Sequence, residues 1–443
     1  MKAKTEASFA PLIDAVNASI SALSKSRDLP DSDNWIIALS GGADSTALLH
    51  ILHDIAGRTG RALTAVIVNH NLRPEAESEA QLVAARARSY GIMAEILTIS
   101  APPPKAARQE WARKHRYDLI CAYARKKGAI LWLGHHRDDQ AETIAMRLSH
   151  GSGLQGLGGM GGVTAINHVM SVRPFLGVPK EVLVAYCREN GHEVIFDPSN
   201  HNRAFERVRW RAILEQDPNL GTQLYQLGKY ARTISQSLWC RLDDFWHTAV
   251  RADESGMALI CDFKPFAELQ KPLQLLLLRK ILSFIGDGGY PPSLESVTRL
   301  LASILHQQTA TLSGCQLSYK GGQIHVFPEA GRPHQPMTMP AGTDMIYQGR
   351  LLVRTNAALV LQPMTQARLD AYDADNSYRK QLLLKPHPIR LLFPFVHALD
   401  DSPITPHIKS MVQKGCFQRL DWPTEQVAIY PLSRIATSLM SHN

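Results

Sequence analysis

Along the first half of the chain the apolar positions alternate between two periods. The apolar residues 35–39 predict a buried strand, and the mostly apolar stretches 63–68, 92–99 and 129–133 predict three more strands. Between them, residues 45–55 place Leu48, Leu49, Leu52 and Ile55 on one face at helical spacing. Residues 75–90, 105–127 and 138–150 also predict helices. The first of these opens with acids that suit a helix dipole, and the second follows Pro102-Pro103-Pro104 and is basic. Strands alternating with helices predict an α/β fold, a parallel sheet covered on both faces. Ligands of such sheets bind beyond the carboxyl ends of the strands.

Further on, residues 179–190 predict a helix, 193–196 a short strand, and Asp197-Pro198-Ser199-Asn200 a turn. After about residue 217 the pattern becomes mainly helical, over 220–246 and 272–306, interrupted by GDGGYPP at 286–292. Residues 314–327 predict a hairpin turning at Gly321-Gly322. The last hundred residues are mixed and proline-bearing. Three domains are expected: an α/β catalytic domain over 1–216, a mainly helical one over 217–330 that ends in the hairpin, and a small mixed α/β one over 331–443.

Composition narrows the class. The chain has 443 residues, 45% apolar, with a net charge of +8. The length suits several domains, and the positive balance suits an anionic partner such as nucleic acid as well as it suits plain solubility. Six cysteines at 121, 187, 240, 261, 315 and 416 are scattered with no Cys-x-x-Cys, which counts against a disulfide framework or a cysteine zinc site and fits a reducing cytosol. No signal-peptide core opens the sequence. The densest apolar run, 275–278, is cut by Arg279 and Lys280, so no membrane segment is expected. The expectation is a cytoplasmic protein.

Residues 35–50, WIIALSGGADSTALLH, carry the first candidate chemistry. A strand that ends in Ser-Gly-Gly and feeds a helix points backbone N–H groups at a helix N-terminus, where a phosphate is favoured. No lysine follows, so this is not the Walker loop, and a dinucleotide fingerprint lacks its third glycine. A tight turn with Asp44 or Ser45 capping the helix is the plain alternative. Ser-Gly-Gly-x-Asp-Ser resembles the pyrophosphate loop of ATP pyrophosphatase enzymes. That resemblance implies ATP contacts from Ser40, Gly41, Gly42, Ala43, Asp44 and Ser45, with Mg²⁺ held by Asp44.

The second constellation lies at 131–160, LWLGHHRDDQAETIAMRLSHGSGLQGLGGM. It places His135, His136, Asp138 and Asp139 at the same sheet edge. Asp138 and Glu142, four apart, share a helix face and suit a metal or an attacking amine. Asp139-x-x-Glu142 is equally a capping-box spacing, and the His pair suits capping or packing. His-His-x-Asp-Asp-Gln-Ala-Glu-Thr followed by Arg-Leu-x-x-Gly-Ser-Gly-x-x-Gly-Leu resembles the tRNA(Ile)-lysidine synthetase family. Asn69-His70-Asn71-Leu72-Arg73, Ala112-Arg113-Lys114-His115-Arg116-Tyr117, Arg173-Pro174-Phe175-Leu176 and Asp197-Pro198-Ser199-Asn200 match that family in order. The likeness spans roughly residues 35–215 well and the hairpin at 314–327 weakly. Asn69, Asn71 and Val208 depart from the family's usual Asp, Gly and Asn, and no C-terminal basic pattern stands out past Arg350.

The resemblance implies a ligase using ATP and Mg²⁺, with free L-lysine and a tRNA(Ile) bearing a CAU anticodon as partners. The wobble cytosine O2 attacks the α-phosphate of ATP and pyrophosphate leaves. The ε-amine of lysine then attacks the adenylated C2 and AMP leaves. Arg113 serves the phosphates. Asp138, Glu142 and His135 are unranked candidates for the group that takes the lysine proton. His70, Arg73, Arg116, His136, Asp139, Arg207, Arg209 and Arg211 face substrate or tRNA. On a helix Arg207 and Arg211 share a face and Arg209 points elsewhere; a solvated basic helix explains these arginines equally well. Trp210 is expected in a core. Rival readings are sulfur transfer to an adenylated base, which usually brings paired cysteines; ammonia transfer, which needs a glutaminase; and a non-catalytic ATP- and tRNA-binding relative, against which Asp44 and the His-His-x-Asp-Asp cluster stand. The sequence singles out neither monomer nor homodimer.

Overall fold

The computed structural model describes residues 2–25, 32–72, 74–104, 108–167, 169–195, 206–253, 258–286, 292–329, 336–347, 351–383, 393–398, 407–408 and 427–431. These form two compact units, with the boundary between Ser235 and Gln236.

The first unit runs α1 (Lys2–Lys25), β1 (Asn34–Ala38), α2 (Ala43–Thr59), β2 (Ala62–Asn69), α3 (Ala76–Ser89), β3 (Met93–Thr98), α4 (Arg108–Lys127), β4 (Ile130–Trp132), α5 (Arg137–Ser149), α6 (Leu154–Leu157), β5 (Val163–Ile166), β6 (Val169–Val172), α7 (Lys180–Glu189), α8 (Glu206–Gln216) and the start of α9 (Pro218–Ala249). The sheet order is β3-β2-β1-β4-β6-β5. All pairs are parallel except β5 with β6. The expected α/β sheet is thus present. β1 is apolar from Trp35 onward because alternate residues enter different cores. Ile37 joins the one shared with α1, α2, α3 and α7, and Ile36 the one shared with α4. The predicted α2 face, Leu48, Leu49, Leu52 and Ile55, is buried, each side chain contributing about 1.5–3 kcal/mol.

β1 lies between β2 and β4, so chain order reverses at the β1/β4 pair. The loops leaving these two strands face one crevice, the position where open α/β sheets bind ligands.

One local expectation needs correction. The strand at 193–196 does not form: residues 193–195 join no sheet, and Phe196 lies outside the described residues. Val194 and Ile195 pack on the α2 core, and the Ile195 N–H is taken by Gly41 O rather than by a neighbouring strand. Helix α1 and the β5–β6 hairpin, which turns beside Asn167 at φ +43°, were given no element by periodicity.

In the second unit, helices Lys271–Ile285 and Leu294–Leu305 pack on a five-stranded antiparallel sheet. Its hairpin pairs Cys315–Lys320 with Gln323–Pro328 and turns at Gly321 and Gly322, φ +59° and +78°, the all-positive turn that two-residue hairpins favour. Beyond it lie a three-stranded and a four-stranded sheet. No helix among the described residues is long and apolar enough to cross a membrane.

Candidate functional site

The turn after β1 is built on its two glycines. Gly41 sits at φ +81°, a region open to glycine at little cost. Gly42 is the N-cap of α2 and has no side chain with which to cap it. The Ser45 hydroxyl accepts from Ser40 N at 3.2 Å and donates to Gly42 O at 3.1 Å, so Ser40 Oγ must donate to it across 3.1 Å. These bonds brace the loop internally. Neither Asp44 nor Ser45 caps the helix, whose N-cap is Gly42.

Asp44 faces the second constellation. Its Oδ2 lies 3.7 Å from His136 Nε2, and its Oδ1 is buried without a hydrogen-bond partner. Burial pushes its carboxyl above the usual range, His136 opposing. The approach of the two loops depends on Gly134, which sequence reasoning passed over. A Cβ there would lie 2.9 Å from the Asp44 backbone carbonyl carbon and oxygen. The visible signal was a glycine directly after the fourth strand.

His136 is the N-cap of α5. Its Nδ1 accepts from Asp138 N–H at 3.2 Å, and its Nε2 lies between Asp44 Oδ2 at 3.7 Å and Asp139 Oδ2 at 3.4 Å. Asp139 Oδ2 accepts from His136 N at 3.1 Å, completing a capping box. The capping partner of Asp139 is therefore His136, not Glu142. Burial would raise the Asp139 carboxyl, but His136 and Arg207 outweigh it and hold it at about 2.

Glu142 is buried and bound to α8. Arg207 Nε donates to one oxygen at 2.5 Å and Arg211 Nε to the other at 2.7 Å. Arg207 Nη2 also reaches Asp139 Oδ1 at 2.7 Å. Arg209 is exposed on another face, and Trp210 packs on the α5–α9 core. Asp138 has different company: its Oδ2 accepts from Lys180 N at 3.3 Å, and its side chain is 36% exposed. Glu142 and Asp138 thus do not share partners.

His135 has a buried Nδ1 without a partner. Burial lowers its pKa to about 3, Asp139 opposing and Arg173, Arg207 and Arg113 assisting, so the ring is neutral at pH 7. On α4, the Arg113 guanidinium lies 5.3 Å from the Tyr117 ring centroid, and Tyr117 hydrogen-bonds Arg173. Arg116 is half-buried beside them, its pKa lowered by burial. His70 follows β2 and is half-buried; Arg73 lies outside the described residues. Asn71, standing where the resembled family has glycine, adopts φ +52°, which asparagine tolerates, and its N–H is held by Asn69 Oδ1 at 2.8 Å.

The glycine-rich segment after α5 is held by residues that sequence reasoning did not single out. Gln140 binds Met160 through both its N–H and its C=O, each at 2.7 Å. Arg147 Nη1 donates to Gly156 O and Gly159 O, and Arg232 Nη2 to Gly158 O and Met160 O. Arg147 stood in a motif; Arg232 gave no signal, being distant in sequence.

Comparison with known proteins agrees with this geometry. A family model described as a PP-loop domain matches residues 13–217. A tRNA(Ile)-lysidine synthase of Hyphomonas neptunium is 35% identical over 330 residues, 71% of this chain and 86% of that protein. Proteins of the same name from Ruegeria pomeroyi, 31% identical over 72% of this chain and 76% of the relative, and from Methylobacterium nodulans, 35% identical over 67% and 91%, are similar in the same way. By sequence shared over more than two thirds of its length, the chain belongs to the tRNA(Ile)-lysidine synthase family.

Proposed function

We propose that this chain uses ATP and free L-lysine to convert the wobble cytidine of a CAU-anticodon tRNA(Ile) to lysidine, through an adenylated cytidine. The observation that carries the reading is the meeting, at the β1/β4 crevice, of a helix N-terminus without a side-chain cap and the Asp44 carboxylate, whose Oδ1 has no hydrogen-bond partner.

Attack of cytosine O2 on the α-phosphate expels pyrophosphate, and negative charge gathers on the phosphates. The α2 N-terminus, the Gly41–Gly42 backbone and Arg113 are donors suited to that charge. Mg²⁺ fits the unpartnered hard oxygen of Asp44. Among the described residues no group of three or more candidate ligands exists, so the nucleotide phosphates and water would complete its shell, and the ion would neutralise phosphate charge.

The ε-ammonium of lysine, with a pKa of about 10.4, must lose a proton before it attacks C2. Both Glu142 oxygens already accept from guanidinium groups, and His135 at about 3 is too weak a base. Asp138 is the acceptor we favour. It is partly exposed, and its nearest guanidinium, Arg137, stands 3.6 Å away, beyond hydrogen-bond distance. The Asp139–Arg207–Glu142–Arg211 set fixes α8 against α5 beside it. Arg209, Arg116 and His70 are assigned to the tRNA.

The test supplies purified protein, Mg·ATP, labelled lysine and a CAU-anticodon transcript. Label is expected in that RNA and in none whose wobble base is changed. Asp44→Ala should lower pyrophosphate release at least about a hundredfold with its circular dichroism unchanged. Incorporation of sulfur instead, or ATP binding without pyrophosphate release, overturns the reading.

A further inference from the structure

Residues 190–195, directly after α7, lie against the pyrophosphate loop, and their contacts there are specific. Ile195 N donates to Gly41 O at 2.9 Å. His192 stacks on His50 of α2 with ring centroids 3.5 Å apart and planes 4° from parallel, and Tyr90 meets His50 edge-on at 4.3 Å. Glu193 pairs with Arg86 of α3 at 2.7 Å. His192 N donates to Cys187 O at 2.8 Å, and the buried Cys187 thiol reaches Ala43 O at 3.4 Å. Three elements are thereby tied to one turn of backbone.

The consequence follows from the planarity of the peptide. Gly41 C=O and Gly42 N–H belong to one trans unit and point in opposite directions. Holding the carbonyl toward Ile195 turns the Gly42 N–H away from the segment. The same stretch of backbone borders a cavity of about 280 Å³, bounded by Gly41, Leu39, His50, Val83 and Ile195.

We propose that residues 191–195 form a positioning strap for the pyrophosphate loop, in which the Ile195 amide and the His192–His50 stack aim the Gly42 N–H at bound phosphate. The inference rests on the function proposed above. The strap touches no substrate, so its effect belongs in the binding of nucleotide and pyrophosphate rather than of lysine.

The experiment compares Ile195→Pro, which removes the N–H, with Ile195→Val, which keeps it, and His192→Ala with His192→Phe, which keeps a stacked ring. The full chain is assayed for lysine incorporation, with KM for ATP and for lysine, and with inorganic pyrophosphate as inhibitor. Ile195→Pro and His192→Ala should raise KM for ATP and the inhibition constant of pyrophosphate on the order of tenfold, leaving KM for lysine within about twofold. Ile195→Val and His192→Phe should stay near the parent. If Ile195→Pro does not fold, the His192 pair decides. Unchanged ATP and pyrophosphate constants overturn the inference, as does an equal rise for lysine, the sign of general damage. A parent protein that incorporates no lysine overturns the proposed function instead.

Discussion

At Gly134 a single absent methyl group decides whether two loops can meet. A Cβ there would strike the Asp44 carbonyl group and lie 3.0 Å from Ser45 N, all backbone atoms that cannot swing aside. Gly134→Ala should therefore push the α2 N-terminus from α5, raising KM for ATP at least about tenfold while costing about 1–3 kcal/mol of stability, as nucleotide titration and urea unfolding would show. Gly41 shows a different constraint. Its φ of +81° and a virtual Cβ 2.9 Å from Val83 Cγ2 exclude alanine on both conformation and space. Sequence marked Gly41 through the Ser-Gly-Gly-x-Asp-Ser motif. It left Gly134 unmarked, because the neighbour that makes it necessary is ninety residues away. Asn71 is an intermediate case: the departure from the family's glycine was visible, and the φ of +52° explains why glycine or asparagine suits it.

At the scale of elements, the α2–strap contact predicts a pH effect. Burial, then His192 and His53, lower the His50 pKa from 6.5 to about 4. The folded chain therefore keeps His50 neutral where the unfolded chain protonates it. Stability from this group is present above pH 6.5 and is lost as pH falls toward 4. Urea unfolding at pH 5 and pH 7 should show His50→Phe losing about 2 kcal/mol less than the parent on acidification. Equal losses in both proteins would remove the effect assigned to His50. His135, lowered to about 3, contributes in the same direction and is left intact in the variant.

The elements also differ in how far periodicity exposed them. β1 and β4 were legible because each buries an apolar run, and α2 because it buries a single stripe. β5 and β6 are four residues each, and β6 mixes Ser171 with apolar neighbours, so neither length nor period separated them from loop. The segment 193–195 has strand-like residues, but its hydrogen bond goes to Gly41, a choice that only its surroundings set.

For the molecule as a whole, the +8 charge and Arg209 on an exposed helix face lead to a salt prediction. Affinity for the CAU-anticodon tRNA, measured by filter binding from 50 to 200 mM salt, should fall on the order of tenfold or more, with a slope of about 0.7–0.9 per phosphate contact. Arg209→Ala should reduce that slope by nearly one contact. Arg207→Ala should instead unseat α8, because Arg207 is committed to Asp139 and Glu142.

The sequence by itself determined the strand–helix alternation, the apolar faces that enclose the sheet and the two motif-bearing loops, since each depends on residues close together in the chain. Tertiary structure alone decided which carboxylates are neutralised, which histidine stays uncharged, and how the Gly41–Gly42 peptide is turned. Glu142 meets its arginines across more than sixty residues, and Gly41 meets Ile195 across more than a hundred and fifty. Charge, burial and hydrogen bonding act through space, so a residue's chemistry is set by neighbours that local pattern does not reveal.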